Sequence, residues 1–206
     1  GTITIGKPTL VDMQILAGKG QTLGISERSD LEEREFISII ASLEKKSEHP
    51  IAEAIVKYAQ EKNINIKEVS KFEGIQGKGL RGTVDGTEYF IGNAKLVRDL
   101  GINFDEAKLE QYTAQGKTPV ILATKEKVLG FVMVADEIKA ESKQAVADLH
   151  KLSIKVLMLT GDDEKAAKYM ASLVGIDEVV AHVMPADKLA KIKELQLEGR
   201  IVAMAG

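Results

Sequence analysis

Apolar positions in the first third of the chain fall at helical spacing. Phe36, Ile37, Ile40 and Leu43 recur one turn apart behind Asp30, which offers an N-cap, and this predicts a helix from that point. Ser47-Glu48-His49-Pro50 interrupts it. A second helix is predicted with Pro50 as its first residue and with Ile51, Ile55 and Tyr58 on one face. From about Glu68 the period drops to two. Leu80–Val84 and Glu88–Ile91 flank Asp85-Gly86, a strong signal for a tight hairpin. Asn93 can cap a short helix through Leu100, and Asp105 another through Tyr112. This middle region reads as α+β, built on an antiparallel sheet.

The pattern changes again near Lys117. Pro119–Thr124 and Lys127–Ala135 read as strands, followed by helix Ala140–Lys151, strand Ile154–Leu159, helix Asp163–Leu173, strand Asp177–Ala181, helix Ala186–Leu197 and strand Arg200–Met204. Strands alternating with helices imply a doubly wound parallel sheet, whose ligand site lies at the carboxyl ends of its strands. Gly1–Val11 is too short to be a domain and is assigned to this second sheet, which makes the middle region an insertion. The expected division is 1–22 and 118–206 for the parallel-sheet domain and 23–117 for the insertion.

Composition narrows the function. The 206 residues carry 28 Lys and Arg against 31 Asp and Glu, a net charge of −3, without the basic excess of a nucleic-acid binder. The chain has no Trp and only five Phe and four Tyr, which argues against a base-stacking platform. With no cysteine, disulfides, thiol catalysis and thiolate metal sites are excluded. His49, His150 and His182 lie far apart in sequence, so no histidine-rich metal site is expected. No stretch approaches the ~18 apolar residues of a membrane-spanning helix. Gly1-Thr2-Ile3-Thr4 does not resemble a signal peptide, and the polypeptide reads as cytosolic and soluble.

Four short motifs could carry chemistry. Gly77-Lys78-Gly79-Leu80-Arg81-Gly82 fits the dinucleotide pattern G-x-G-x-x-G, but a strand and hairpin follow where that fingerprint needs a helix. Its glycines either let a ligand approach the backbone or simply form a bulge entering a strand. His49, before Pro50, occupies a helix N-cap, where the dipole favours the neutral imidazole; it is either an adenine or phosphate contact or a half-buried turn residue. Thr160-Gly161-Asp162 falls where an apolar strand gives way to a helix, and is either a phosphate site or a loop with a capping aspartate. Lys188, three residues after Pro185, either serves that phosphate or is an ordinary surface lysine.

Taken in order, Gly1-Thr2-Ile3-Thr4, Ser47-Glu48-His49-Pro50, Gly77-Lys78-Gly79, Thr160-Gly161-Asp162, Pro185-Ala186-Asp187-Lys188 and Val202-Ala203-Met204-Ala205-Gly206 resemble the ATP-binding region of heavy-metal P-type ATPases, above all copper(I)-exporting pumps. The resemblance runs the length of the chain, and Ser-Glu-His-Pro marks the metal-pumping branch. It implies an α/β fold, a haloacid-dehalogenase-like Rossmannoid parallel sheet split by an inserted α+β nucleotide-binding domain. It also implies that Glu44, His49, Gly77, Gly79 and Asn93 hold ATP. Thr160, Gly161 and Asp162 would position the transferred phosphoryl group and Lys188 would neutralise its oxygens, a division of labour suited to phosphoryl transfer.

The resemblance further implies ATP and Mg²⁺ as cofactors, and a cytosolic domain of an integral membrane protein. Its partners would be the transmembrane and actuator domains of the same pump, with Cu⁺ handled outside this region. The family phosphorylates the Asp of Asp-Lys-Thr-Gly-Thr, of which Gly1-Thr2 would be the end, and holds Mg²⁺ through Gly-Asp-Gly-x-x-Asn-Asp, of which Gly206 would be the first residue. The nucleophile and the principal metal carboxylate are therefore expected outside these 206 residues, which by themselves would bind nucleotide without turning it over. Two other functions compete: a haloacid-dehalogenase-like phosphatase with a cap, and a non-catalytic nucleotide-binding module.

Overall fold

The computed structural model describes residues 2–16, 30–161 and 164–205. They fall into two compact units, one of Lys7–Tyr112 with Thr118–Ala135, the other of Gly1–Gly6, Thr113–Lys117 and Asp136–Gly206.

The first unit is organised by an antiparallel sheet. Its strands are β1 (Thr4–Ile15), β2 (Ser70–Ile75), β3 (Gly79–Val84), β4 (Thr87–Gly92), β5 (Thr118–Ala123) and β6 (Val128–Ile138), in the spatial order β1-β6-β5-β4-β3-β2. The turn between β3 and β4 is the one that Asp85-Gly86 predicts: Val84 pairs with Thr87, and both turn residues have positive φ, 49° and 81°. Helices α1 (Asp30–Glu44) and α2 (Pro50–Glu61) lie on one face. There Phe36, Ile37, Ile40, Leu43 and Ile55 pack with Leu80, Val84, Ile91, Val120, Leu122, Val132 and Val134. Helices α3 (Ala94–Asp99) and α4 (Ala107–Thr113) supply Val97 and Leu109 to a second cluster with Ile121, Ala123, Phe131 and Met133. Phe104 and Tyr112 meet the Phe131 ring edge-on, with centroids 6.2 and 6.1 Å away. The helix positions follow the sequence closely, although Asp30 is the first helical residue of α1 and not its cap.

β5 and β6 correct the sequence reading. Both were expected in the parallel sheet, yet β5 pairs with β4 through Phe90–Ala123, Ile91–Leu122 and Gly92–Ile121, and β6 pairs with β5. A continuous apolar run signals a strand buried on both faces, the usual state of a parallel strand. Here the antiparallel sheet is itself covered on both faces at these two strands, so the same run arises. β1, likewise expected in the second sheet, lies beside β6. A change of unit does fall between residues 117 and 118, but 118–135 joins the larger unit, and the expected division at residues 22 and 23 lies outside the described residues.

The second unit contains α5 (Ala140–Lys151), β7 (Leu157–Leu159), α6 (Glu164–Val174), β8 (Glu178–Val180) and α7 (Pro185–Leu197). β7 and β8 pair in parallel, Leu157 with Glu178 and Leu159 with Val180. The strand expected at Arg200–Met204 does not form; this segment has no ladder partner among the described residues and Ile201 is fully exposed. The fold is α/β, with helices around a parallel strand pair and an α+β unit on an antiparallel sheet.

Candidate functional site

Three of the sequence-selected residues meet at one knot. The register counted outward from the Asp85-Gly86 turn brings Gly79 opposite Gly92. A Cβ on Gly79 would stand 1.9 Å from the Ile91 carbonyl oxygen, and one on Gly92 would stand 2.0 Å from that of Lys78, so both positions exclude a side chain. Asn93 then ties the loop down. Its N–H donates to the Lys78 carbonyl (3.0 Å), its Nδ2 to the Gly77 carbonyl (3.1 Å), and its Oδ1 accepts from the Leu96 N–H (3.2 Å) as the cap of α3. Gly77 has φ +68° and open space where a Cβ would be. Strand packing thus requires Gly79, whereas only Gly77 leaves room for a ligand against the backbone. Gly92 was missed from the sequence, although counting back from the hairpin would have found it.

Glu44 and His49 bracket the connection from α1 to α2. Glu44 ends α1, and its side chain is only 7% exposed. Burial pushes its carboxyl up to about 7 from the ordinary 4.5, because the charged form loses its water. A carboxyl poised there carries a donor and an acceptor together for much of the neutral range. His49 caps α2 as the sequence predicts: its Nδ1 accepts from the Ile51 N–H at 3.2 Å, with Pro50 as the first helical residue. An Nδ1 that accepts leaves the neutral ring's proton on Nε2, so the exposed ring presents an N–H donor and a flat apolar face.

In the second unit Thr160 directly follows β7. Its N–H donates to the Val180 carbonyl (3.0 Å) and its carbonyl accepts from the Val183 N–H (2.9 Å), while a Cβ on Gly161 would lie 3.6 Å from the Val183 carbonyl oxygen. The Thr160-Gly161 turn is thereby held beside the residues that lead into α7, and Lys188 lies in the first turn of that helix. Asp187, not anticipated, accepts from the Met184 N–H at 3.1 Å and secures the helix start next to Lys188. Asp162 lies outside the described residues. Thr160, Gly161 and Lys188 therefore share the carboxyl end of the strand pair, where such sheets bind ligands.

Among the described residues no group of three His, Asp or Glu side chains could hold a metal ion, and no helix is long and apolar enough to cross a membrane. The donor set does not by itself fit Mg²⁺.

Comparison with known proteins gives a consistent picture. A family model for haloacid dehalogenase-like hydrolases matches residues 1–206. The copper-exporting P-type ATPase of Staphylococcus saprophyticus is 37% identical over 208 residues, covering 100% of this chain and 24% of that protein. A probable cadmium-transporting ATPase of Alkalihalophilus pseudofirmus is 40% identical over 213 residues, covering 100% and 28%. The chain thus spans about a quarter of the length of these relatives. Among solved structures, a zinc-transporting PIB-type ATPase in its E2.Pi state matches with TM-score 0.77 and 26% identity, over 96% of this chain and 30% of the other. With a family model matching it from end to end, and with similarity along its length to part of several metal-transporting P-type ATPases, the chain belongs to the haloacid dehalogenase-like hydrolases.

Proposed function

We propose that the chain is the ATP-binding cytosolic region of a copper-translocating P-type ATPase, which couples ATP hydrolysis through an aspartyl phosphate to metal export. The larger unit would bind the nucleotide and the smaller would serve the phosphoryl group. The observation that carries the ATP reading is the buried Glu44 carboxyl in the α1–α2 connection. In its protonated form it can donate to adenine N1 and accept from the adenine amino group, whereas the ionised form only accepts and suits the N1–H and amino donors of guanine instead. The His49 ring would cover or hydrogen-bond the nucleoside, and Gly77 would admit it to the loop that Asn93 holds. Thr160 and Asp162 would position the phosphoryl group, with Gly161 allowing close approach, and Lys188 would supply charge. Mg²⁺ would arrive as the ATP complex, Cu⁺ would be cargo handled outside this region, and the transmembrane and actuator domains of the pump would be the partners. Copper is favoured on the overall likeness of Gly1–Pro8 and of the run Glu44–Pro50.

Calorimetric titration tests this. The protein should bind ATP in preference to GTP, and His49→Ala should weaken ATP binding by about tenfold or more. The same change should lower stability by only about 1 kcal/mol, the usual value of a helix cap. Equal ATP binding by wild-type and His49→Ala proteins would overturn the assignment.

A further inference from the structure

One cation stands at the rim of the Gly77–Asn93 knot, and neither the sequence motifs nor the comparisons give it a role. Lys78 lies between the two glycines, with its backbone fixed at both ends: its N–H donates to the Ile75 carbonyl and its carbonyl accepts from Asn93, both at 3.0 Å. Its side chain is left to choose a partner. In this structure Nζ lies 2.5 Å from Asp99 Oδ2 at the end of α3, with the two side chains 32% and 45% exposed. We propose that Lys78 is a specificity-determining residue for the nucleotide's phosphates, exchanging Asp99 for a phosphate oxygen when ATP enters the loop. The inference rests on the nucleotide reading above and deepens it.

Four features favour the exchange. An ion pair this exposed is weak, so releasing it costs little. Asp99 is not abandoned when Lys78 leaves, because Lys95 and Arg98 also act on its carboxyl, which Lys78 first and then these two hold below the ordinary carboxylate range. A triphosphate carries more charge than a carboxylate, and its oxygens accept the same kind of charge-assisted hydrogen bond from an ammonium. The neighbouring Gly77 presents no side chain in the way.

The test compares adenosine with ATP, because adenosine has the base and sugar but no phosphate. Binding of each is measured by calorimetry for wild type, Lys78→Met, Lys78→Arg and Asp99→Asn. Lys78→Met should weaken ATP by about tenfold and leave adenosine unchanged, so that the ATP-to-adenosine ratio collapses. Lys78→Arg should keep the ratio, and Asp99→Asn, which frees the lysine, should raise it. Added salt should weaken ATP binding more in wild type than in Lys78→Met. If Lys78→Met weakens both ligands equally, the lysine only shapes the loop and the proposal falls. If wild type binds adenosine and the ratio survives Lys78→Met, the proposal falls while the nucleotide reading stands. If wild type binds neither ligand, both fall.

Discussion

Replacing Gly79 by alanine should severely destabilise the larger unit. The new methyl group would fall 1.9 Å from the Ile91 carbonyl oxygen and 2.6 Å from the Gly92 Cα, both of them backbone. Neither can retreat without pulling β4 away from β3, and the pair lies at the end of the ladder that positions Asn93. The backbone there also has φ +149°, which L-residues rarely adopt. Clash and strain together cost on the order of 4 kcal/mol or more, a large part of the ~5–15 kcal/mol that holds a typical domain together. Gly77→Ala is the control. It also has positive φ but meets open space, so it should cost about 1–2 kcal/mol. Urea unfolding followed by circular dichroism separates the two, and equal midpoints would show that strand contact does not require Gly79.

Glu44 should make the protein less stable as pH rises. A carboxyl whose pKa is raised in the folded state binds its proton more tightly there, so the stability it gives is complete below about 4.5 and is lost on passing through about 7. The shift corresponds to about 3 kcal/mol across that window. Glu44→Gln, which keeps a donor and an acceptor without titrating, should match wild type near pH 4.5 and exceed it by up to about 3 kcal/mol at pH 8. Because other groups titrate in the same range, the measured quantity is the difference between the two proteins in urea unfolding at each pH. A difference independent of pH would mean that burial does not hold the proton on Glu44. Preference for ATP over GTP should decline above pH 7 in wild type and persist in Glu44→Gln.

Local features were legible in the sequence because local chemistry decides them. Pro50 fixes the start of α2 and His49 caps it; Asn93 caps α3; Asp85-Gly86 supplies the two positive φ values that a tight hairpin needs. α5 runs from Ala140 to Lys151, the bounds that its apolar spacing predicts. Partnership was not legible. Val120–Ala123 and Phe131–Val134 announce strands buried on both faces, but nothing in their period says which sheet they join. The segment Arg200–Met204 shows the converse: its apolar residues fit a strand, yet none forms there because no strand among the described residues pairs with it. At the site, Glu44 came from resemblance alone, because burial of a carboxylate is a property of the packed helix end.

The strand order β1-β6-β5-β4-β3-β2 has a consequence for how the protein is made. A ribosome releases β1 first and β5 and β6 last, yet β5 and β6 fill the middle of the sheet and carry Val120, Leu122, Val132 and Val134 of its core. A nascent chain ending near residue 117 holds a complete hairpin whose inner edge on β4 is open, and a β1 with no strand beside it. Such an intermediate exposes just the unpaired edges that invite association between chains. Emergence of residues 118–138 closes both at once, so the larger unit should acquire protease resistance in one late step, after its helices have long been synthesised. Nascent chains stalled at successive lengths and treated with protease should display that step only when β6 has cleared the exit tunnel.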